Sequence, residues 1–153
     1  MHYCLQKLNP KENYTKEKIE NLINEMCKKE MITETEKNSI NINKIVELTK
    51  SNLWQRMKNA KEINMEAPFY TSIEENGETV LVQGIIDCYF IDSEDKLVLL
   101  DYKTDHVESE QELINRYNVQ LEIYKDALEK ALGRKVAETY IYSIYLNKAI
   151  CMV

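Results

Sequence analysis

Two short stretches of this chain carry residue types that could do chemistry: Gly84-Ile85-Ile86-Asp87 and Leu100-Asp101-Tyr102-Lys103-Thr104. The first ends in a carboxylate. The second sets an acid and an amine one residue apart. Side chains alternate faces along a strand, so Asp101 and Lys103 share one face and Tyr102 takes the other. The turn signal Asp92-Ser93-Glu94-Asp95 between them predicts two adjacent strands, with the acids near the strand tips. Two carboxylates with a lysine beside one of them can hold a hard divalent cation and orient a water next to it. That arrangement suits metal-dependent phosphodiester hydrolysis. Each residue also has a plainer use: Asp87 in a turn network, Lys103 in a salt bridge to either acid. Apolar neighbours argue for more, because a carboxylate buried after Ile85-Ile86 or after Leu97-Val98-Leu99-Leu100 is costly without a cation or partner.

The elements that must position these groups follow from hydrophobic periodicity. Residues 1–60 read as helical. His2 to Leu8 forms a short helix stopped by Asn9-Pro10, and Thr15 caps a second helix with Ile19, Leu22, Ile23, Met26 and Cys27 at helical spacing. Ile42, Ile45, Val46 and Leu48 repeat the pattern, and Ser51 caps a turn or two carrying Leu53, Trp54 and Met57. The period then changes to two. Ile63 to Tyr70 reads as a strand broken or bulged near Pro68, and Asn76-Gly77 turns it into a strand over 79–91. Residues 96–104 form the next strand, whose continuous apolar run marks burial on both faces. A helix over about 111–132 follows, then strands over 136–146 and 149–153. The helical crossover permits parallel pairing between the strand of Lys103 and the strand at 136–146. A mixed sheet flanked by helices results.

Composition narrows the field. A chain of 153 residues with 44% hydrophobic and 30% charged residues has enough length for one soluble domain with a core. It holds no apolar run of membrane length and no secretory signal, so a cytoplasmic location is the expectation. The net charge of -6 argues against a nucleic-acid binder that relies on bulk positive charge. The four cysteines form no C-x-x-C pair and read as reduced thiols, mostly buried. No phosphate-binding G-x-x-x-x-G-K-[ST] loop occurs, so the chain carries no ATPase or helicase motif.

The residues Gly84-Ile-Ile-Asp87, Val98-Leu-Leu-Asp101-Tyr-Lys103-Thr-Asp105 and Tyr117-Asn-Val-Gln120-Leu-Glu-Ile-Tyr124, with His2 and Glu66 ahead of them, resemble a known family. The chain is similar to the RecB-like branch of the PD-(D/E)xK nucleases. More narrowly, it resembles the C-terminal nuclease domain of the AddA subunits of bacterial AddAB helicase–nucleases. The resemblance spans essentially the whole chain. It implies an α/β fold, a restriction-endonuclease-like mixed sheet flanked by helices with a helical N-terminal third. It also implies a single nuclease domain over 1–153, excised from a larger protein. Residues 1–60 would be its helical segment and residues 61–153 its catalytic sheet-and-helix core.

The same resemblance implies roles. Asp87 and Asp101 would be metal carboxylates for Mg2+, with Mn2+ able to substitute. His2 would be a further metal ligand, and the carbonyl of Tyr102 would reach the same ion. Lys103 would position the attacking water and stabilise charge on the scissile phosphate, or help to deprotonate that water, roles that the sequence does not separate. Gln120 and Tyr124, four apart and therefore on one helix face, would lie over the site. Glu66 would support it from behind or hold a second metal. The implied activity is exonuclease-type cleavage of DNA, single strands fed by an attached helicase, in double-strand-break repair and recombination, with an AddB-type partner subunit. The competing expectation is a non-catalytic DNA-guiding or subunit-docking module that retains the fold.

Overall fold

The structure is a computed structural model and describes residues 1–152. Five helices come first: α1 (His2–Gln6), α2 (Lys16–Lys28), α3 (Glu34–Ser39), α4 (Ile42–Lys50) and α5 (Asn52–Lys58). Side-chain caps set three of their starts. Thr15 accepts from the Lys18 N–H, Ser51 accepts from the Trp54 N–H, and Thr33 forms a reciprocal capping box with Glu36. The helix after Thr33 has no counterpart in the hydrophobic pattern, because it buries no side chain and so leaves no apolar stripe to read.

The strands are β1 (Glu62–Glu75), β2 (Glu78–Ile91), β3 (Leu97–Lys103), β4 (Glu138–Ser143) and β5 (Lys148–Met152), with α6 (Glu110–Leu132) between β3 and β4. They form one sheet in sequence order. All neighbours are antiparallel except β3 and β4, which run parallel as the α6 crossover permits. Asn76 and Gly77 take positive φ values of 51° and 78°, which closes the β1–β2 hairpin.

The sheet is covered on both sides. Ile19, Ile23, Ile45, Leu48 and Trp54 from the N-terminal helices pack on Cys88, Phe90, Val98 and Leu100. On the other face Ala127 and Leu128 of α6 pack on Phe69, Ile86, Leu97 and Leu99. Further along α6, Leu113 and Leu121 meet Ile141 and Ile150. The unbroken apolar run Leu97–Leu100 thus feeds both cores in alternation.

Three expectations need correction. The strand over 63–70 is not interrupted at Pro68; β1 is continuous, and its irregular residue is Glu66, with φ of 51°. Before that point Ile63 and Met65 face the N-terminal helices; after it Ala67 and Phe69 face α6. β2 changes faces in step, with Cys88 on the first side and Ile86 on the second. Register is unbroken, Met65 opposite Cys88 and Ala67 opposite Ile86. The hairpin therefore turns over at the Glu66–Asp87 position. As a second correction, Asp87 lies inside β2 rather than at a strand tip. It occupies the place where β2 parts from β3, since their pairing ends at Cys88 opposite Leu100. Third, the strand expected over 136–146 is shorter, because residues 144–147 form the turn into β5.

Candidate active site

The parting of β2 from β3 leaves a main-chain donor unpaired, and Asp87 satisfies it. Its Oδ2 accepts from the Tyr102 N–H at 2.8 Å. Its Oδ1 lies 3.1 Å from His2 Nε2, so α1 is tied to the middle of the sheet. Across the gap, Asp101 and Lys103 project together from β3, with Lys103 Nζ 2.8 Å from Asp101 Oδ2. The ring of Tyr102 goes to the opposite side, into the core under the N-terminal helices, where it is 1% exposed and edge-on to His2.

α6 closes the site from the other face. Lys103 Nζ donates to Gln120 Oε1 at 3.0 Å, and Gln120 Nε2 donates to the Tyr124 hydroxyl at 3.3 Å. The Tyr117 ring lies under the ammonium, 4.0 Å from centroid to Nζ, which is cation–π distance. The Tyr117 hydroxyl and Arg116 Nη1 both donate to Asp105 Oδ2 at 2.7 Å. Tyr117, Gln120 and Tyr124 stand at i, i+3 and i+7 on one helix face. Tyr117, Arg116 and Asp105 lie outside the set of site residues expected above. Tyr117 reads equally well as an apolar residue of the helix, and its three-residue spacing from Gln120 and its place at the head of the Tyr117–Tyr124 motif are what point elsewhere.

The two acids ionise differently. Asp101 is 4% exposed. Its burial, and then the charge of Asp87, push its pKa up to about 6, against the opposing pull of Lys103. For Asp87 burial also pushes upward, but the bonds from His2 and Tyr102 outweigh it and hold the carboxyl below its ordinary range. The bond to Asp87 in turn raises His2, against burial. Asp101 Oδ2 is at ion-pair distance from Lys103, yet it has no aligned hydrogen bond. A buried Asp101 with an undersatisfied oxygen, beside the partly buried Asp87, has a standing demand for positive charge.

The structure brings together His2, Asp87, Asp101, Tyr102, Lys103, Gln120 and Tyr124. It does not bring in Glu66. That side chain is exposed and has no polar partner among the described residues, although register sets its position across from Asp87. The left-handed backbone at Glu66 is what aligns the hairpin here; its carboxylate is not part of the network.

A family model described as the PD-(D/E)XK nuclease superfamily matches residues 1–149. The chain belongs to the PD-(D/E)XK nuclease superfamily. Three curated relatives are each named as the A subunit of an ATP-dependent helicase/nuclease. The protein of Clostridium perfringens (strain ATCC 13124) is 42% identical over 168 residues, covering 97% of this chain and 13% of that protein. That of Thermoanaerobacter sp. (strain X514) is 39% identical over 158 residues, covering 95% and 13%. That of Clostridium novyi (strain NT) is 38% identical over 164 residues, covering 98% and 13%. The chain spans about an eighth of the length of these relatives, 13% in each case. Among solved structures, the crystal structure of SSO0001 aligns with 72% of this chain and 48% of its own at a TM-score of 0.45 and 17% identity, which is too distant to bear on the site.

PD-(D/E)XK nucleases generally use divalent metals. Among the described residues no three His, Cys, Asp or Glu side chains converge on one point. That does not exclude a hard cation, which commonly takes one or two carboxylates and keeps several waters. The partly buried Asp87 and the buried Asp101, with its undersatisfied oxygen, fit such an ion.

Proposed function

We propose that this chain is the nuclease domain of a larger ATP-dependent helicase–nuclease and hydrolyses DNA phosphodiesters with Mg2+, Mn2+ being able to substitute. The observation that carries the reading is the pairing of buried Asp101 with partly exposed Lys103, on one face of β3 and beside Asp87, with Gln120 of α6 bonded to the lysine. The names and lengths of the relatives support the larger context.

Asp87 and Asp101 would hold the metal, with His2, which is bonded to Asp87 here, and the Tyr102 carbonyl as its further ligands. When bound, the ion supplies Lewis-acid stabilisation of charge on the phosphate oxygens and lowers the pKa of a water. The protein's own contribution is positional. Lys103 donates to Gln120 and stands at ion-pair distance from Asp101, so its ammonium is held where it would meet the attacking water or a non-bridging phosphate oxygen. Its ammonium is fixed from below by the Tyr117 ring, so little reorganisation is needed as negative charge develops. Tyr124 holds Gln120, and Gln120 holds the lysine.

In this reading residues 1–153 act as one domain of the longer polypeptide. The substrate is DNA, single strands delivered by the helicase region and trimmed exonucleolytically during break repair and recombination. A second subunit of the AddB type, and a cytoplasmic setting, complete the proposal. No helix among the described residues is long and apolar enough to cross a membrane.

The test is cleavage of a labelled single-stranded oligonucleotide with Mg2+. Asp101→Asn and Lys103→Ala should each lower the rate by roughly a hundredfold or more, the scale for losing one preorganised charge-stabilising group. Far-UV circular dichroism should be unchanged. Parental rates in both variants would refute the assignment.

A further inference from the structure

A surface cleft of about 340 Å³ opens beside these residues, lined in part by Met1, Asn41, Lys44, Thr104, His106 and Tyr145. Met1 precedes His2 and Thr104 follows Lys103, so two of its lining residues are chain neighbours of site residues. Its lining contains no carboxylate. Four other clefts on the surface each include at least one Asp or Glu. In a chain with 26 acidic and 20 basic residues, a cleft with no acid in its lining repels a polyanion less than those four do.

The cleft also presents aromatic faces. His106 is exposed and lies flat on Tyr145, with ring centroids 4.7 Å apart and planes 27° from parallel. Tyr145 is itself 44% exposed. Lys44 Nζ stands 5.6 Å from the Tyr145 ring and donates to the Tyr145 carbonyl at 2.7 Å. The three come from the β3–α6 loop, the β4–β5 turn and α4, and each is anchored. Val107 and Ile144, the neighbours of the two rings, are both buried. The Ile144 N–H donates to the Lys103 carbonyl at 2.9 Å, which couples the turn directly to the strand of the lysine. Single exposed aromatics are common on protein surfaces; a stacked pair held by two buried neighbours, with a cation beside it, is a preorganised face.

We propose that His106, Tyr145 and Lys44 form a subsite for an unpaired DNA nucleotide adjoining the scissile phosphate. The base stacks on the open face of His106 and extends the His106–Tyr145 column, and Lys44 meets a neighbouring phosphate. Stacking on aromatic side chains is tolerant of base identity and requires a base free of its duplex partner. The subsite therefore selects single strands without reading sequence. This rests on the nuclease reading above.

The experiment is fluorescence anisotropy of a labelled single-stranded oligonucleotide in EDTA, which prevents cleavage, followed by cleavage kinetics in Mg2+. His106→Ala and Tyr145→Ala should each weaken binding by roughly fivefold or more, the lower bound for one base–aromatic stack. KM should rise with kcat nearly unchanged. A series of oligonucleotides, each with one abasic residue, should reveal a position where the parent loses the same factor. At that position His106→Ala should add no further loss, which a general loosening of the fold would not produce. Lys44→Ala should reduce the salt dependence of binding. Unchanged affinity in the ring variants, or losses that add at every position, would overturn the subsite while leaving a cleaving parent intact. A parent that neither binds nor cleaves single strands would overturn the nuclease reading with it.

Discussion

Replacing Gly84 with Ala should loosen both the fold and the site, for a reason visible in the packing. A Cβ at Gly84 would lie 2.9 and 3.0 Å from Cε1 and Cζ of Phe69, and 3.8 Å from Cε1 of Tyr124. Phe69 cannot simply swing aside, because it is 7% exposed and packs edge-on to Tyr124 with centroids 5.0 Å apart. Overpacking of this kind costs about 1–3 kcal/mol. Gly84 has no positive φ, so alanine also gains about 0.4–1 kcal/mol by restricting the unfolded chain. The central values of these ranges leave a net destabilisation of roughly 1.3 kcal/mol. With a urea m-value of about 2 kcal/mol/M, the midpoint should fall by roughly 0.5–1 M at constant m. The strain should also pass through Tyr124 to Gln120 and Lys103, lowering kcat severalfold with little change in KM. Phe69→Leu removes the two offending ring atoms. The double variant should therefore be more stable than the sum of the single changes, by about 1 kcal/mol or more. A Gly84→Ala protein as stable as the parent, or no rescue by Phe69→Leu, would refute the close approach as the reason for glycine here.

Two further perturbations separate positioning from stability. Gln120→Ala takes one acceptor from Lys103 and should lower kcat about tenfold while barely moving the melting temperature; equal losses of rate and stability would refute a positioning role. Arg56 bonds both Asp92 at 2.8 Å and Glu138 at 2.5 Å, joining α5 to the end of β2 and to β4. Arg56→Met leaves Asp92 buried with only its bonds from the Glu94 and Lys96 N–H groups, and should cost about 2–3 kcal/mol, less than a fully buried pair because the guanidinium is partly exposed. Burial raises Asp92, but the Arg56 and backbone bonds outweigh it, and the Arg56 bond lowers Glu138; both folded values lie below the ordinary 3.8 and 4.5. Groups held low stabilise the fold above those ordinary values and lose that contribution as pH falls through the folded ones. Urea midpoints should thus decline below about pH 4.5 in the parent and decline less in Arg56→Met; parallel curves would refute the linkage.

Much of the site was legible in the residues because the relevant patterns are local. Alternation along a strand put Asp101 and Lys103 together and sent Tyr102 the other way, and the buried Leu97–Leu100 run identified a strand with two covered faces. Helical spacing paired Gln120 with Tyr124, and Asn76-Gly77 set the hairpin. The family motifs added His2, which lies 85 positions from its partner Asp87 and has no local signature of its own.

Tertiary structure decided the rest. Strand parity predicts a constant face only while the backbone stays extended. The left-handed Glu66 turns both strands of the hairpin over and leaves its own carboxylate in solvent. That same turnover puts Asp87 where β2 leaves β3, so that a carboxylate takes over a main-chain bond and comes to lie, partly buried, beside Asp101. The raised pKa of Asp101, the Tyr117 ring beneath Lys103 and the His106–Tyr145 stack are likewise meetings of distant segments. The sequence by itself determined which groups could act and on which strand or helix face each stands. Which of them meet, and in what dielectric, was decided by how the sheet twists and what covers it, because burial and contact are properties of packing rather than of period.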